Sequence, residues 1–280
     1  MPTLYVVATP IGNLEDISLR ALRMLREVRL IAAEDTRKTK RLLSAYGIRT
    51  SMTSYHEQNK RAKLGYILSQ LREGDVALVS EAGTPGISDP GYELIVAASQ
   101  QGIPVVPIPG PSAIVTALVI SGMPTDRFTY IGFLPRKPGD RQRILESVAA
   151  ETGTIIALET PHRLKEALGD MLLVLGDRRA AICRQLTKLH EEVFRGTISK
   201  ALEHFNEPRG EFTIVIEGKK DKDKPQLTEE IVQQLEALRV SGATAKEVVA
   251  RVSQETGLPR KELYRTWLKL PKGSGRLERS

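Results

Sequence analysis

The stretch Ser80-Glu81-Ala82-Gly83-Thr84-Pro85-Gly86-Ile87-Ser88-Asp89-Pro90-Gly91 constrains this chain more than any other. It follows the apolar run Val76–Val79, which reads as a buried strand, and it precedes a helical pattern that starts near Tyr92. Five glycines and prolines thus stand at the carboxyl end of a strand in an α/β unit, the edge where open α/β sheets bind ligands. Glycine admits close backbone approach and proline holds the loop in one shape. Such a loop reads as the wall of a small-molecule pocket.

Two further segments repeat the pattern. Leu4–Ala8 leads into Thr9-Pro10-Ile11-Gly12-Asn13-Leu14, and Val105–Ile108 leads into Pro109-Gly110-Pro111-Ser112-Ala113. None carries G-x-x-x-x-G-K-[ST] or G-x-G-x-x-G, which argues against a P-loop NTPase and a dinucleotide fold. No lysine lies in these loops. The expected ligand is held by backbone groups and small side chains and carries little negative charge.

Five motifs in order, Thr9–Asp16, Ala33–Arg37, Ser80–Gly91, Pro109–Ala113 and Glu159-Thr160-Pro161-His162-Arg163, resemble the tetrapyrrole-methylase superfamily and, within it, its ribosomal-RNA branch. The match runs from Pro2 to about Gly218, and the tail resembles that branch too. Gly83-Thr84-Pro85 stands where porphyrin and corrin enzymes carry Gly-Asp-Pro, which removes a carboxylate and agrees with the RNA branch. The resemblance implies S-adenosylmethionine as methyl donor and 2′-O-methylation of a cytidine ribose in the decoding region of 16S ribosomal RNA in the small subunit. It also implies a homodimer. No Cys/His cluster has zinc spacing and the four histidines are scattered, so no metal is expected. The donor is expected against Pro10, Ala82, Gly83, Thr84, Ile87, Ser88, Ser112 and Ala113, with its adenine facing Glu159 and Leu186. Glu159 to His162 belong with the donor pocket or domain closure rather than with proton transfer.

Methyl transfer to a hydroxyl is an in-line displacement, so positioning supplies most of the catalysis and a base assists. Ala33-Glu34-Asp35-Thr36-Arg37-Lys38-Thr39-Lys40-Arg41 places carboxylates at a strand end, followed by four basic residues. Asp35 fits two roles equally: proton acceptor, or cap of the next helix. Glu81 is the rival base, and Arg37 is suited to grip a phosphate as a fork. The expected RNA contacts are Arg37, Lys38, Lys40 and Arg41, then Arg136 and Lys137 in a basic loop over Leu134–Asp140, then Arg260, Lys261 and Arg265 in the tail.

The expected fold class is α/β: an N-terminal domain (residues 1–119) with a mostly parallel sheet, and a second (120–218) with a mixed sheet. A donor cleft lies between them, and a small three-helix, helix-turn-helix-like domain (226–280) follows a charged linker (219–225). Thr244 and Glu247 form a capping-box pattern, Gly257 stops a helix and Pro259 opens the last one. Charge is uneven: residues 1–218 carry a net +2 and residues 219–280 a net +5. That bias fits a polyanionic partner. With 280 residues and 41% hydrophobic content, the chain can bury two modest cores and an appendage. It has no run of 18 apolar residues, no basic leader before an apolar stretch and one cysteine, Cys183. Those features predict a cytoplasmic protein with no membrane span and no internal disulfide. A methyltransferase of small molecules or protein side chains accounts for the loops but not the tail. A DNA-binding regulator accounts for the tail but not the resemblance.

Overall fold

The structure, a computed structural model, describes residues 2–220 and 227–270. The linker expected over 219–225, apart from Lys219 and Lys220, and the last ten residues lie outside them. The chain divides into two compact units, Met1–Lys219 and Lys220–Ser280.

The first unit opens with five parallel strands, β1 (Leu4–Val7), β2 (Leu30–Ala33), β3 (Met52–Ser54), β4 (Val76–Val79) and β5 (Val105–Ile108), in the order β3-β2-β4-β1-β5. Alternation along each strand feeds two cores. In β2, Ile31 and Ala33 pack with Leu22 and Leu25 of α1 (Leu19–Glu27) and with Leu42 and Leu43 of α2 (Thr36–Ala45). Leu30 and Ala32 point the other way, toward Ile67 and Leu71 of α3 (Lys60–Glu73) and Leu94 of α4 (Tyr92–Gln100). Because both faces are covered, the inner strands β1, β2 and β4 read as apolar runs without polar alternation. The strand order sets β4, β1 and β5 side by side, so the three Gly/Pro loops that follow them emerge together.

A second sheet joins β6 (Phe128–Phe133), β7 (Thr154–Glu159), β10 (Phe212–Ile216), β8 (Arg179–Arg184) and β9 (Glu192–Thr197), in that order. Only β6 and β7 are parallel, so the sheet is mixed. One face buries α6 (Pro138–Ser147), α7 (Leu164–Leu175) and α8 (Ile198–His204). The other face packs Ile156, Ala181 and Val215 against Ala117 and Leu118 of α5 (Ala113–Ser121). Helix α5 therefore starts at the third Gly/Pro loop and packs on the second sheet, which couples the two halves of the unit. The basic loop expected over Leu134–Asp140 is shorter: Pro138 already occupies the first turn of α6, where its missing N–H costs nothing.

In the second unit α9 (Glu229–Val240), α10 (Ala245–Thr256) and α11 (Arg260–Lys269) surround Leu235, Val248, Val252, Leu263 and Trp267. Thr244 and Glu247 close a capping box, and Gly257 ends α10 at φ 73°. The three-residue turn Gly257–Pro259 then admits α11, the spacing of a helix-turn-helix.

Candidate active site

The three Gly/Pro loops lock one another. Thr9 and Gly83 form an isolated antiparallel bridge, and the Ser80 hydroxyl donates to the Ala82 and Gly83 carbonyls at 3.2 Å each. A side chain at Gly110 would meet the Ala8 methyl at 3.0 Å, so loops one and three touch backbone to side chain. Against these loops the second sheet brings Tyr130 and Phe133 of β6, the end of β7, and the loop after β8. The half-open cavity measures about 480 Å³, within the roughly 300–1,000 Å³ range of small-molecule sites.

The two halves meet at the rim. The Asn13 N–H donates to Thr187 Oγ1 at 3.0 Å, and the Ser88 and Tyr130 hydroxyls lie 2.5 Å apart. Among the described residues, the non-glycine positions with positive φ are Ser88 (62°), Gln185 (47°) and Thr187 (64°). Ser88 lines the cavity, and the other two flank Leu186, which also lines it. Such backbone strain concentrates at sites where geometry serves a ligand.

Five carboxylates reach the cavity: Glu34, Glu81, Asp89, Glu159 and Glu211. Glu34 Oε2 accepts the Glu81 N–H at 2.8 Å, and the Glu81 side chain pairs with the Lys38 ammonium. Burial raises the Glu34 carboxyl above its ordinary range. Burial, reinforced by the charge of Glu34, pushes Asp89 up to about 7. Glu159 pairs with Arg163 at 2.5 Å and accepts the Thr160 N–H at 2.7 Å through Oε1, while its Oε2 is buried with no hydrogen-bond partner. Glu211 pairs with Lys188 at 2.9 Å. Burial holds the Cys183 thiol up at about 11, so it stays protonated and unreactive at neutral pH.

Ala82, Gly83, Thr84, Ile87, Ser88, Ser112, Ala113, Glu159 and Leu186 all line the cavity, as does Glu81. Pro10 does not, although its neighbour Ile11 does. Asp35 and Arg37 also lie outside the lining. Asp35 caps α2, accepting from the Arg37 and Lys38 N–H groups at 2.8 and 3.1 Å, and the Lys38 N–H above all holds its carboxyl below the usual range. Arg37, Lys38, Lys40 and Arg41 are exposed along α2, as are Arg136 and Lys137 before α6. In the separate second unit, Arg260, Lys261 and Arg265 are exposed on α11. Sequence reasoning missed Glu34, Asp89, Tyr130 and Phe133 as lining residues. Asp89 stood inside the Ser80–Gly91 loop, and a carboxylate in a Gly/Pro loop at a strand end was the available signal.

The family described as Tetrapyrrole (Corrin/Porphyrin) Methylases matches residues 3–202. This chain belongs to the tetrapyrrole methylases. Among members of the family, a protein of Halalkalibacterium halodurans named Ribosomal RNA small subunit methyltransferase I is 48% identical, covering 94% of this chain and 93% of its own length. A Synechocystis protein of the same name is 46% identical over 96% of this chain and 99% of its own. A Thermotoga maritima protein, also so named, is 49% identical over 222 residues, 78% of this chain and all of its own length. Two solved tetrapyrrole methylases share the fold. One is uroporphyrin-III C-methyl transferase of Thermus thermophilus complexed with S-adenyl homocysteine (TM-score 0.56, 19% identity, 77% of this chain and 97% of that one). The other is the cobalt precorrin-4 methyltransferase CbiF (TM-score 0.56, 16% identity, 77% and 94%).

Proposed function

We propose that this protein transfers a methyl group from S-adenosylmethionine to the 2′-hydroxyl of a cytidine in the decoding region of 16S ribosomal RNA, acting on the small ribosomal subunit in the cytoplasm. The observation that carries the reading is the junction of two features: a cavity walled by close-approach backbone, and a helix with four exposed cations, α2, whose Lys38 reaches the cavity carboxylate Glu81. A small-molecule pocket beside a basic helix suits a polyanionic acceptor brought to a bound donor. The names of relatives 46–49% identical point to the same substrate class.

The cavity fits the implied donor on its own evidence. Gly83 presents bare backbone at φ 79°, with Ile11 Cγ2 3.4 Å from where a side chain would begin, and Glu159 Oε2 is a buried acceptor in want of a donor group. When bound, S-adenosylmethionine supplies an electrophilic methyl group on a sulfonium centre. Gly83, Ala82 and Ala113 leave room for its body, Glu159 and Leu186 line the side assigned to its adenine, and Tyr130 and Phe133 exclude water. Arg37 and its neighbours on α2 hold the phosphates that flank the target ribose. Arg260, Lys261 and Arg265 add a second, separately folded contact to the RNA. The proposed assembly is a homodimer of this chain.

Transfer of labelled methyl from S-adenosylmethionine to isolated small subunits tests the reading. Label should appear on one cytidine ribose of 16S RNA. Label on tetrapyrroles or protein, with none on RNA, would overturn it.

A further inference from the structure

Four of the five cavity carboxylates are already committed. Glu34 accepts a backbone N–H, Glu81 faces Lys38, Glu159 faces Arg163 and Thr160, and Glu211 faces Lys188. Asp89 differs in kind: among the described residues no cation or backbone N–H pairs with its carboxylate, which has a side-chain hydrogen bond with the Ser80 hydroxyl. Its backbone is fixed on both sides, by the left-handed Ser88, tied to Tyr130 at 2.5 Å, and by Pro90, which restricts the residue before it. It therefore presents to the cavity a half-buried carboxylate with no cation partner, on a constrained backbone.

We propose that Asp89 is the catalytic residue that accepts the proton of the acceptor ribose hydroxyl. The inference rests on the methyl-transfer reading above and deepens it. As the hydroxyl oxygen forms its bond to the methyl carbon, the carbon–sulfur bond breaks with its electron pair passing to sulfur. The hydroxyl proton passes to the Asp89 carboxylate and later to water, which balances the step with no further reactant. The groups facing Asp89 are Glu34 at the end of β2, Glu81 in its own loop with Lys38 opposite, the Ser80 hydroxyl, and Tyr130 of β6, whose own proton burial holds on. Burial and the two glutamates favour the neutral acid, while a bound cationic donor favours the carboxylate. Loss of the sulfonium charge during transfer then raises the proton affinity of Asp89 as the hydroxyl releases its proton. An acceptor balanced near neutrality is the effective kind at physiological pH.

The test combines calorimetry and single-turnover kinetics on the full chain and its Asp89→Asn variant, with thermal melting to establish that both fold. Donor binding to the wild type near pH 7, measured in two buffers of different ionisation enthalpy, should release a fraction of a proton. Asp89→Asn should release none and should still bind the donor. At saturating donor and subunit, the variant should lose about a hundredfold or more in methyl-transfer rate. The wild-type rate at saturating donor should rise with pH below 7, where the bound donor has moved the Asp89 titration, and the variant should lack that rise. Equal proton release, or an unchanged rate and pH profile, would overturn the assignment. So would lost donor affinity with a normal rate at saturation. A wild type that binds the donor and releases the proton but methylates no ribosomal RNA would instead overturn the substrate reading.

Discussion

Thr9 and Gly83 exchange both of their backbone hydrogen bonds, the Thr9 N–H reaching the Gly83 carbonyl at 2.8 Å and the Gly83 N–H the Thr9 carbonyl at 3.0 Å. The pair clamps two strand-end loops that are 74 residues apart in sequence. Gly83 makes it with φ 79°, so any side chain there is strained before it meets a neighbour. Left-handed backbone costs an L-residue about 1–2 kcal/mol. Gly83→Val should lower the melting temperature and weaken donor binding at least tenfold. Titration calorimetry that found wild-type affinity would show that the donor lies elsewhere.

Gly12 guards the other seam. A Cβ there would fall 2.5 Å from Lys188 Cγ and 2.7 Å from both the Leu186 carbonyl and Thr187 Oγ1. The carbonyl is backbone and cannot step aside cheaply. Gly12→Ala should therefore part the first loop from the strained turn around Leu186 at a cost of about 1–3 kcal/mol. Reduced thermal stability together with a weaker donor complex is the expected pair of results.

Asp35 separates structure from chemistry. As a helix cap it tolerates asparagine, whereas alanine removes the acceptor and costs about 1 kcal/mol. Asp35→Asn should keep both stability and single-turnover rate, and Asp35→Ala should lose stability. Because the folded-state carboxyl is held low, its contribution is present above the unfolded value and fades as acid protonates it, so the wild type's melting-point margin over Asp35→Ala should narrow at low pH. Arg37, exposed and clear of the cavity, should on replacement by alanine raise KM for the subunit with donor affinity intact.

A raised carboxyl works in the opposite sense. Asp89 binds its proton more tightly folded than unfolded, so its contribution to stability is fullest in acid and is lost as pH rises from about 4 through about 7. Asp89→Asn should melt like the wild type near pH 4 and higher than it at pH 8, by about 2–4 °C for each kcal/mol relieved. Melting curves across that range read the effect without any substrate.

Much of this was legible in the chain. The Gly/Pro loops announced themselves because only those residues serve such turns, and Thr244, Glu247 and Gly257 marked helix ends by local chemistry alone. What was hidden depends on topology. That Glu34 and Asp89 face one cavity follows from β2 lying beside β4, a pairing that no motif encodes. The strain at Ser88, Gln185 and Thr187 is imposed by the meeting of two sheets. Asp35 shows the converse case, since a carboxylate at a strand end reads alike as a base or as a cap until the direction of the helix N–H groups is known.

The second unit offers a test by removal. The T. maritima relative matches along its whole 222 residues, a length close to that of the first unit alone. Deleting residues 220–280 should therefore leave folding and donor binding in place and raise KM for the subunit. Reversing charge at Arg260, Lys261 and Arg265 should mimic the deletion and flatten the salt dependence of RNA binding by about 0.7–0.9 for each phosphate no longer neutralised. Unchanged affinity in both variants would reduce the three helices to a structural cap.

The position of β10 governs when the cavity can first be closed. Among the described residues it is the last strand in sequence, yet it occupies the middle of its sheet, between β7 and β8. The first sheet is complete in the nascent chain at Ile108, whereas the second cannot close until Ile216 has emerged. At synthesis speeds of about 5–20 residues per second that interval is roughly 5–20 s. Throughout it the first sheet stands with one wall of its cavity and no lid, and the donor has no enclosed place to settle until about three-quarters of the polypeptide has left the ribosome.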